Sequence, residues 1–454
     1  MLQSKNPATG ELIAKYEEHT PAEADETIRK ARTAFEAWRR LRFDERAMHF
    51  HRLAEQLRQA KDTLAVLMAR EMGKPVVEGS VEIEKCAWLC EYYADEAGHI
   101  LGDEVVSTGA RKSYIAYQPL GVVLGLMPWN FPFWQVLRYA VPALMAGNTT
   151  VVKHANNVTG SLLALEQLFE EAEFPQDVMR ALRIDIPAIE GVIGHEGIAA
   201  VTLTGSTQAG RAVGAAAGRA LKPCVLELGG SDPFIVLEDA DLDRAAELGA
   251  TSRLIAGGQT CISAKRFIVP RSIQAAFEEK LTAQMKTRIV GDPLDPATTM
   301  GPLARVDLRD NLDVQVRQSI SKGARVLAGG ETPARPGAFY PPTVLSDCTK
   351  GMAVVDEETF GPVAAIIPVD DEAEAIRVAN DTPYGLGAVV CSEDRDRAER
   401  IARDEIDAGC CFVNAYVKSD PRLPFGGIKE SGFGRELGSY GIKEFVNIKT
   451  VYIE

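Results

Sequence analysis

This chain of 454 residues lacks the marks of several large protein classes. No apolar run approaches the roughly 20 residues that a helix needs to cross a bilayer. None of its eight cysteines forms a Cys-x-x-Cys pair, which weakens zinc-ribbon and thioredoxin-type readings. Its six histidines show no metal-ligand spacing, so no metal site is expected. Positive charge is in deficit: the net charge of -14 argues against a nucleic-acid or anionic-membrane partner, since both need clustered Lys and Arg. There is no internal repeat and no low-complexity segment. Met1 to Leu12 holds neither an apolar signal core nor an Arg-rich amphipathic stretch, so a soluble, cytoplasmic protein with reduced thiols is expected. No Gly-x-Gly-x-x-Gly stands in a strand-to-helix turn.

What remains is an ordinary globular composition, 46% hydrophobic and 25% charged, in a chain long enough for two or three domains. Asn6-Pro7-Ala8-Thr9-Gly10 reads as a hairpin turn. Thr20-Pro21-Ala22-Glu23 reads as a capping box that opens a helix to about Leu41. Further helices are expected over 44–72 and 76–100, then a strand over 111–118. After Pro119 strands and helices alternate: strands over 121–127, 149–153, 178–184 and 199–204, and helices over 133–145, 161–173 and 207–217. A second alternating set starts at Phe234, with strands over 234–237, 266–269, 363–369, 388–391 and 410–413. Its helices are expected over 242–255, 273–285, 372–380 and 395–403. Such alternation implies parallel sheets covered on both faces. The tail from Gly438 alternates apolar and polar residues and reads as a strand.

Several constellations carry chemistry. Gly257-Gly258-Gln259-Thr260-Cys261 puts a thiol in a glycine-rich turn, where backbone N–H groups can approach whatever the sulfur attacks. Upstream, Leu226-Glu227-Leu228-Gly229-Gly230 ends an apolar strand on a carboxylate. A thiol and a base together point to covalent catalysis followed by hydrolysis. Asn130, in Pro128-Trp129-Asn130-Phe131-Pro132, follows a buried strand and could aim an amide at a developing oxyanion; the alternative is a helix N-cap. Asn130, Trp134 and Arg138 are spaced four apart, so they are expected on one helix face. Arg138 in an otherwise apolar helix could fork a carboxylate; the alternative is a snorkelling or structurally paired arginine. Thr204-Gly205-Ser206-Thr207-Gln208-Ala209-Gly210 resembles a phosphate loop. It continues Arg211-Ala212, without the Lys-Ser/Thr that a nucleoside triphosphate and its metal require. A helix N-terminus there can still hold a diphosphate through N–H groups and Ser206; the alternative is a plain cap. Lys153 ends a strand at the cleft edge and could meet ribose hydroxyls or a 2′-phosphate. The following run, His154-Ala155-Asn156-Asn157-Val158, supplies no acid to repel that phosphate.

Together these segments resemble the aldehyde dehydrogenase superfamily. Glu358-Thr359-Phe360-Gly361-Pro362 and Gly426-Gly427-Ile428-Lys429-Glu430-Ser431-Gly432 complete the set, in family order over nearly the whole chain. The resemblance implies two Rossmann-like doubly wound α/β domains and a small β oligomerisation arm. Residues 1–102 and 119–229 would form the dinucleotide-binding domain, 230–437 the catalytic domain, and 103–118 with 438–454 the arm of a homodimer or homotetramer. It implies that Cys261 is the nucleophile, Glu227 the general base, and that Asn130 and the Cys261 N–H hold the oxyanion. Ser206, with Gly205, and Trp129 would contact the cofactor diphosphate, Lys153 the adenine ribose, Glu358 the nicotinamide ribose and Phe360 the nicotinamide region. Trp134, Arg138 and the segment Val417 to Pro424 resemble short succinate-semialdehyde dehydrogenases, which makes Arg138 and Ser419 candidates for holding a distal carboxylate. The implied reaction oxidises succinate semialdehyde to succinate through a cysteine thioester. Another short aldehyde such as glutarate semialdehyde, a coenzyme-A-acylating reaction, and a non-catalytic scaffold are the rival readings. Three departures matter. Asn156 stands where many NAD-preferring relatives have an acid, so NADP is expected, with NAD possible. Ser231 stands where many relatives have Lys or Asn. Arg183-Ile184-Asp185-Ile186-Pro187 lacks the usual glycine of the adenosine-contact segment.

Overall fold

The computed structural model describes residues 1–454. The chain opens with the expected hairpin, Leu2–Lys5 against Leu12–Tyr16. Three long helices follow: Pro21–Trp38, Phe43–Met72 and Val76–Ile100. The first starts on the reciprocal Thr20–Glu23 capping box. The second stops at Gly73, whose φ of 80° suits a residue without a Cβ.

The first sheet has six strands in the order Gly432–Phe433, Cys224–Glu227, Ile198–Thr204, Val122–Met127, Thr149–His154, Met179–Ala181. All pairings are parallel except the first. Alternate residues face opposite sides. Val123, Val152, Ala200 and Val225 pack into a core with the second and third helices and with Trp134–Met145. Val122, Leu124, Val151 and Val201 pack against Ala24, Ile28 and Ala31 of the first helix and Val213 and Ala216 of Thr207–Arg219. Such strands read as continuous apolar runs because both faces are covered.

The second sheet has seven strands, Arg325–Ala328, Thr343–Ser346, Val363–Val369, Ala264–Pro270, Asp232–Val236, Gly387–Cys391 and Cys410–Val413, antiparallel only at the first pair. A three-stranded arm, Val446–Ile453, Lys112–Pro119 and Glu104–Val105, completes the fold. Two Rossmann-type α/β units with a small β arm are thus present, as the sequence implied. No helix is long and apolar enough to cross a membrane.

Four local expectations are corrected. The helix Val306–Ser321 and the edge strands Arg325–Ala328 and Thr343–Ser346 were not expected. That helix buries only Leu312, Asp313, Val316 and Ser319, of which two are apolar, and this weakens its periodic signal. The strand expected to reach Ile184 leaves the sheet after Ala181, and residues Ile186–Ala188 form a 3-10 turn. A short helix, Gly438–Gly441, delays the final strand to Val446. The helix expected from Phe133 begins at Trp134, so Asn130 lies in the bend before it rather than on its face.

In the first sheet the chain leaves Val122–Met127 toward Thr149–His154 on one side, while Ile198–Thr204 lies on the other. The carboxyl ends of strands at such a switch point frame a crevice. Pro128 to Asn130 and Gly205 to Ser206 stand there. Cys261 arrives from the opposite direction, just before the amino end of Ala264–Pro270.

Candidate active site

The thiol loop is built by backbone that few residue types tolerate. Ala256, Gly257 and Gly258 have φ values of 52°, 65° and 75°. A Cβ on Gly258 would lie 2.4 Å from the carbonyl of Gly361, so the Gly361 loop can press against it only because no side chain intervenes. Two buried cations brace the loop. Arg253 donates to the Gly258 and Ala264 carbonyls, and Lys265 Nζ donates to the Cys261 carbonyl at 2.7 Å. The Cys261 N–H donates to no group of the chain. Burial pushes the thiol up to about 12, against the opposing pull of Arg138 and Lys265, so at neutral pH the sulfur holds its proton until a base takes it.

Asn130 is buried, and its Nδ2 donates to the Gln259 carbonyl at 2.9 Å, two residues before the sulfur. That acceptor fixes the amide's orientation and leaves its second N–H free to donate elsewhere. Glu227 ends its strand with both carboxyl oxygens buried and without hydrogen-bond partners. Burial, with the charge of Glu436 added, holds its carboxyl well above the usual carboxylate range. An acid so placed has raised proton affinity, as a general base requires. Its strand is stapled by Gly432–Phe433, with Gly432 opposite Glu227. A Cβ on Gly432 would lie 1.9 Å from the Leu226 carbonyl.

Cys261 opens into a cavity of about 830 Å³, and Trp134, Arg138 and Ser419 line it too. The structure therefore brings four of the expected site residues together; Asn130 and Glu227 do not line that cavity. Arg138 is buried, stacks at 4.7 Å over Phe425 and forms an ion pair with Glu436. The structurally paired alternative for this arginine is therefore what the geometry displays, although its guanidinium still borders the cavity. The helix that carries it is fixed at its start by Glu82, which accepts from the Phe133 and Trp134 N–H groups at 3.0 Å each and is itself ion-paired to Lys74.

A second cavity, of about 770 Å³, occupies the switch-point crevice. Lys153 and Gly205 line it, as do Ile186, Ile189, Ile193 and Val213, which form an apolar slot. Lys153 Nζ donates to Asn156 Oδ1 at 3.0 Å, and burial lowers its pKa while Asp185 opposes. Ser206 caps the 13-residue helix Thr207–Arg219, its hydroxyl accepting from the Ala209 N–H. An apolar slot wide enough for a planar base, an ammonium beside it and a capped helix N-terminus suit a dinucleotide. The remaining candidates stand apart from this slot. Trp129 and Phe360 meet edge to face at 5.7 Å, while Glu358 accepts from the Gly230 N–H at 2.9 Å and lies 4.0 Å from Lys265.

Sequence reasoning missed Lys85, Glu82, Lys265 and Glu436. Lys265 and Glu436 have no local pattern that announces them, since their partners are 4 and 298 residues away and their roles depend on packing. Lys85 left a trace: it sits between Val81 and Trp88 on a helix face whose apolar members stay exposed beside the cavity.

The chain is similar to known proteins over nearly its whole length. A relative from Synechocystis sp., named a probable NADP(+) succinate-semialdehyde dehydrogenase, is 47% identical over 448 residues, covering 99% of this chain and 98% of its own. An Escherichia coli K12 protein, named a succinate semialdehyde dehydrogenase using NAD(P)+, is 44% identical over 449 residues, covering 99% and 97%. The crystal structure of a Streptococcus pyogenes succinic semialdehyde dehydrogenase in complex with NADP+ superposes with a TM-score of 0.97 at 37% identity, covering all of both chains. The sequence model of the Aldehyde dehydrogenase family matches residues 1–451, and the chain therefore belongs to that family, as an NAD(P)-dependent enzyme acting on an aldehyde.

Proposed function

We propose that this enzyme oxidises succinate semialdehyde to succinate through a Cys261 thioester. The observation that carries this reading is the shared cavity: Cys261 opens into a space that Lys85, Arg138 and Ser419 also line, with the Lys85 ammonium donating to the Ser419 hydroxyl. A short aldehyde with an anionic far end matches that polarity. The similarity to relatives named for this substrate supports it.

Cys261 gives its proton to water in the cavity, and the thiolate adds to the aldehyde carbon, whose C=O electron pair moves onto the oxygen. The Cys261 N–H and the free N–H of Asn130 hold the oxyanion that forms. When bound, the nicotinamide supplies the hydride acceptor. Glu227 then takes a proton from water, which attacks the thioester and frees the acid. Trp129, Gly205 and Ser206 would hold the diphosphate of the dinucleotide, Glu358 its nicotinamide ribose, Phe360 its nicotinamide region and Lys153 its adenine ribose. The absence of a carboxylate at Asn156 favours NADP. A homo-oligomer built on the β arm, in the cytoplasm, completes the proposal.

The test compares succinate semialdehyde with butanal, which has the same number of carbons and no carboxylate, with each cofactor, following absorbance of the reduced nicotinamide. A preference for the semialdehyde is expected. Equal kcat/KM for both aldehydes removes the substrate assignment, and activity only with coenzyme A present transfers the enzyme to the acylating class.

A further inference from the structure

The cavity's cations differ in what already neutralises them. Arg138 is ion-paired with buried Glu436. Arg422 is exposed and makes paired contacts of 2.9 and 2.8 Å to Asp420. Lys418 is exposed to water. Lys85, on the helix Val76–Ile100, is the half-buried cation left: no carboxylate lies within salt-bridge distance of it, and its ammonium donates to the Ser419 hydroxyl at 2.7 Å while resting 4.0 Å over the Trp134 ring. The acids nearby are committed elsewhere, Glu82 to Lys74 and the N–H groups of residues 133 and 134, and Glu84 to Arg58.

We propose that Lys85, with Ser419 beside it, is the specificity-determining residue that receives the substrate's distal carboxylate. The inference rests on the proposed function and deepens it, since it assigns the anion's counter-charge to a residue other than the arginine that the sequence singled out. A cation already matched by a buried carboxylate gains little from a second one, and recruiting it would leave the first unpaired at a cost. An unmatched ammonium, aligned by an aromatic face and a hydroxyl, is held ready at small entropic cost. A hydroxyl that accepts from this lysine still has its own proton to donate, so one carboxylate can receive from both groups.

The lysine's environment supports the assignment. Burial lowers Lys85 to about 8, and Arg138 on the neighbouring helix pushes the same way; Cys86 and Glu82 on its own helix and Asp420 on the facing loop oppose. The lysine therefore carries its charge below about pH 8 and loses it above, so carboxylate binding is full on the acid side and fades as pH rises through that value.

Lys85→Met keeps the length and removes the charge; Lys85→Arg keeps the charge. Steady-state rates with succinate semialdehyde and with butanal are compared in both variants and in the parent. Lys85→Met is expected to lower kcat/KM for the semialdehyde by about 10- to 150-fold, mostly through KM, the range of a hydrogen bond to a charged group. Its kcat/KM for butanal stays within about threefold of the parent, because that aldehyde makes no such bond. Lys85→Arg restores part of the loss. In the parent, KM for the semialdehyde climbs above about pH 8 relative to KM for butanal, and this difference vanishes in Lys85→Met. Equal losses on both aldehydes assign Lys85 a structural role and overturn the inference, as does an unchanged preference. A parent enzyme without any preference for the semialdehyde refutes the proposed function itself, which separates the two failures.

Discussion

The thiol cavity and the switch-point crevice are built by opposite means. The thiol cavity is read by side chains: a sulfur, cations, a hydroxyl and an indole, each at one position of the chain. The switch-point crevice is lined mainly by what the fold supplies: strand ends, a helix start and a slot of aliphatic residues, with charge only from Lys153, Glu190 and Arg305. A site made of side chains changes its substrate by single substitutions. A site made of strand ends keeps its ligand class and alters only detail, such as the group on a ribose.

Variants can break or sharpen that contrast. The largest effect belongs to Cys261→Ala, which is expected to abolish reduced-nicotinamide production with every aldehyde while leaving cofactor binding, followed by calorimetry, within a few-fold of the parent. Retained turnover would sink the covalent mechanism. Glu227→Gln is expected to release about one equivalent of reduced nicotinamide per subunit in a stopped-flow burst, after which turnover proceeds about 10²- to 10⁴-fold slower than the parent. A linear trace with no burst would take Glu227 out of the hydrolytic step. Asn130→Ala should reduce kcat by about 10²- to 10³-fold, the usual cost of one oxyanion donor, with little change in cofactor affinity. A smaller loss, confined to KM, would mean that Asn130 serves only the turn that carries it. The smallest effect probes the crevice. Asn156→Glu places a carboxylate beside the Lys153 ammonium, and is expected to raise KM for NADP by about tenfold while KM for NAD moves little. An equal rise for both would show that this position does not face the 2′ substituent.

The same contrast explains what the sequence disclosed. Strand–helix alternation was legible because doubly covered strands are uninterrupted apolar runs, and Val363–Val369 and Glu372–Asn380 fall on the expected residues. The edge strand Arg325–Ala328 was not, since an edge needs no apolar run and its first two residues are exposed. Cys261 announced itself through its glycines, which the loop's positive φ values require. Arg138 stood out as a charge in an apolar helix, yet its partner Glu436 follows it by 298 residues and enters only through the fold. Lys85 was overlooked for the reverse reason: a lysine on a helix ordinarily ends in water, and only the packing of Trp134 and Ser419 around it makes this one unusual.

Gly432–Phe433 lies far along the chain from Glu227, yet it forms the outermost rung beside that residue's strand. During synthesis, then, the region through Cys261 can emerge and begin to fold while the edge beside Glu227 is still bare. That edge closes only when the glycine segment arrives. Translation products that stop short of this segment should carry Asn130, Glu227 and Cys261 but leave the Glu227 strand open at that edge.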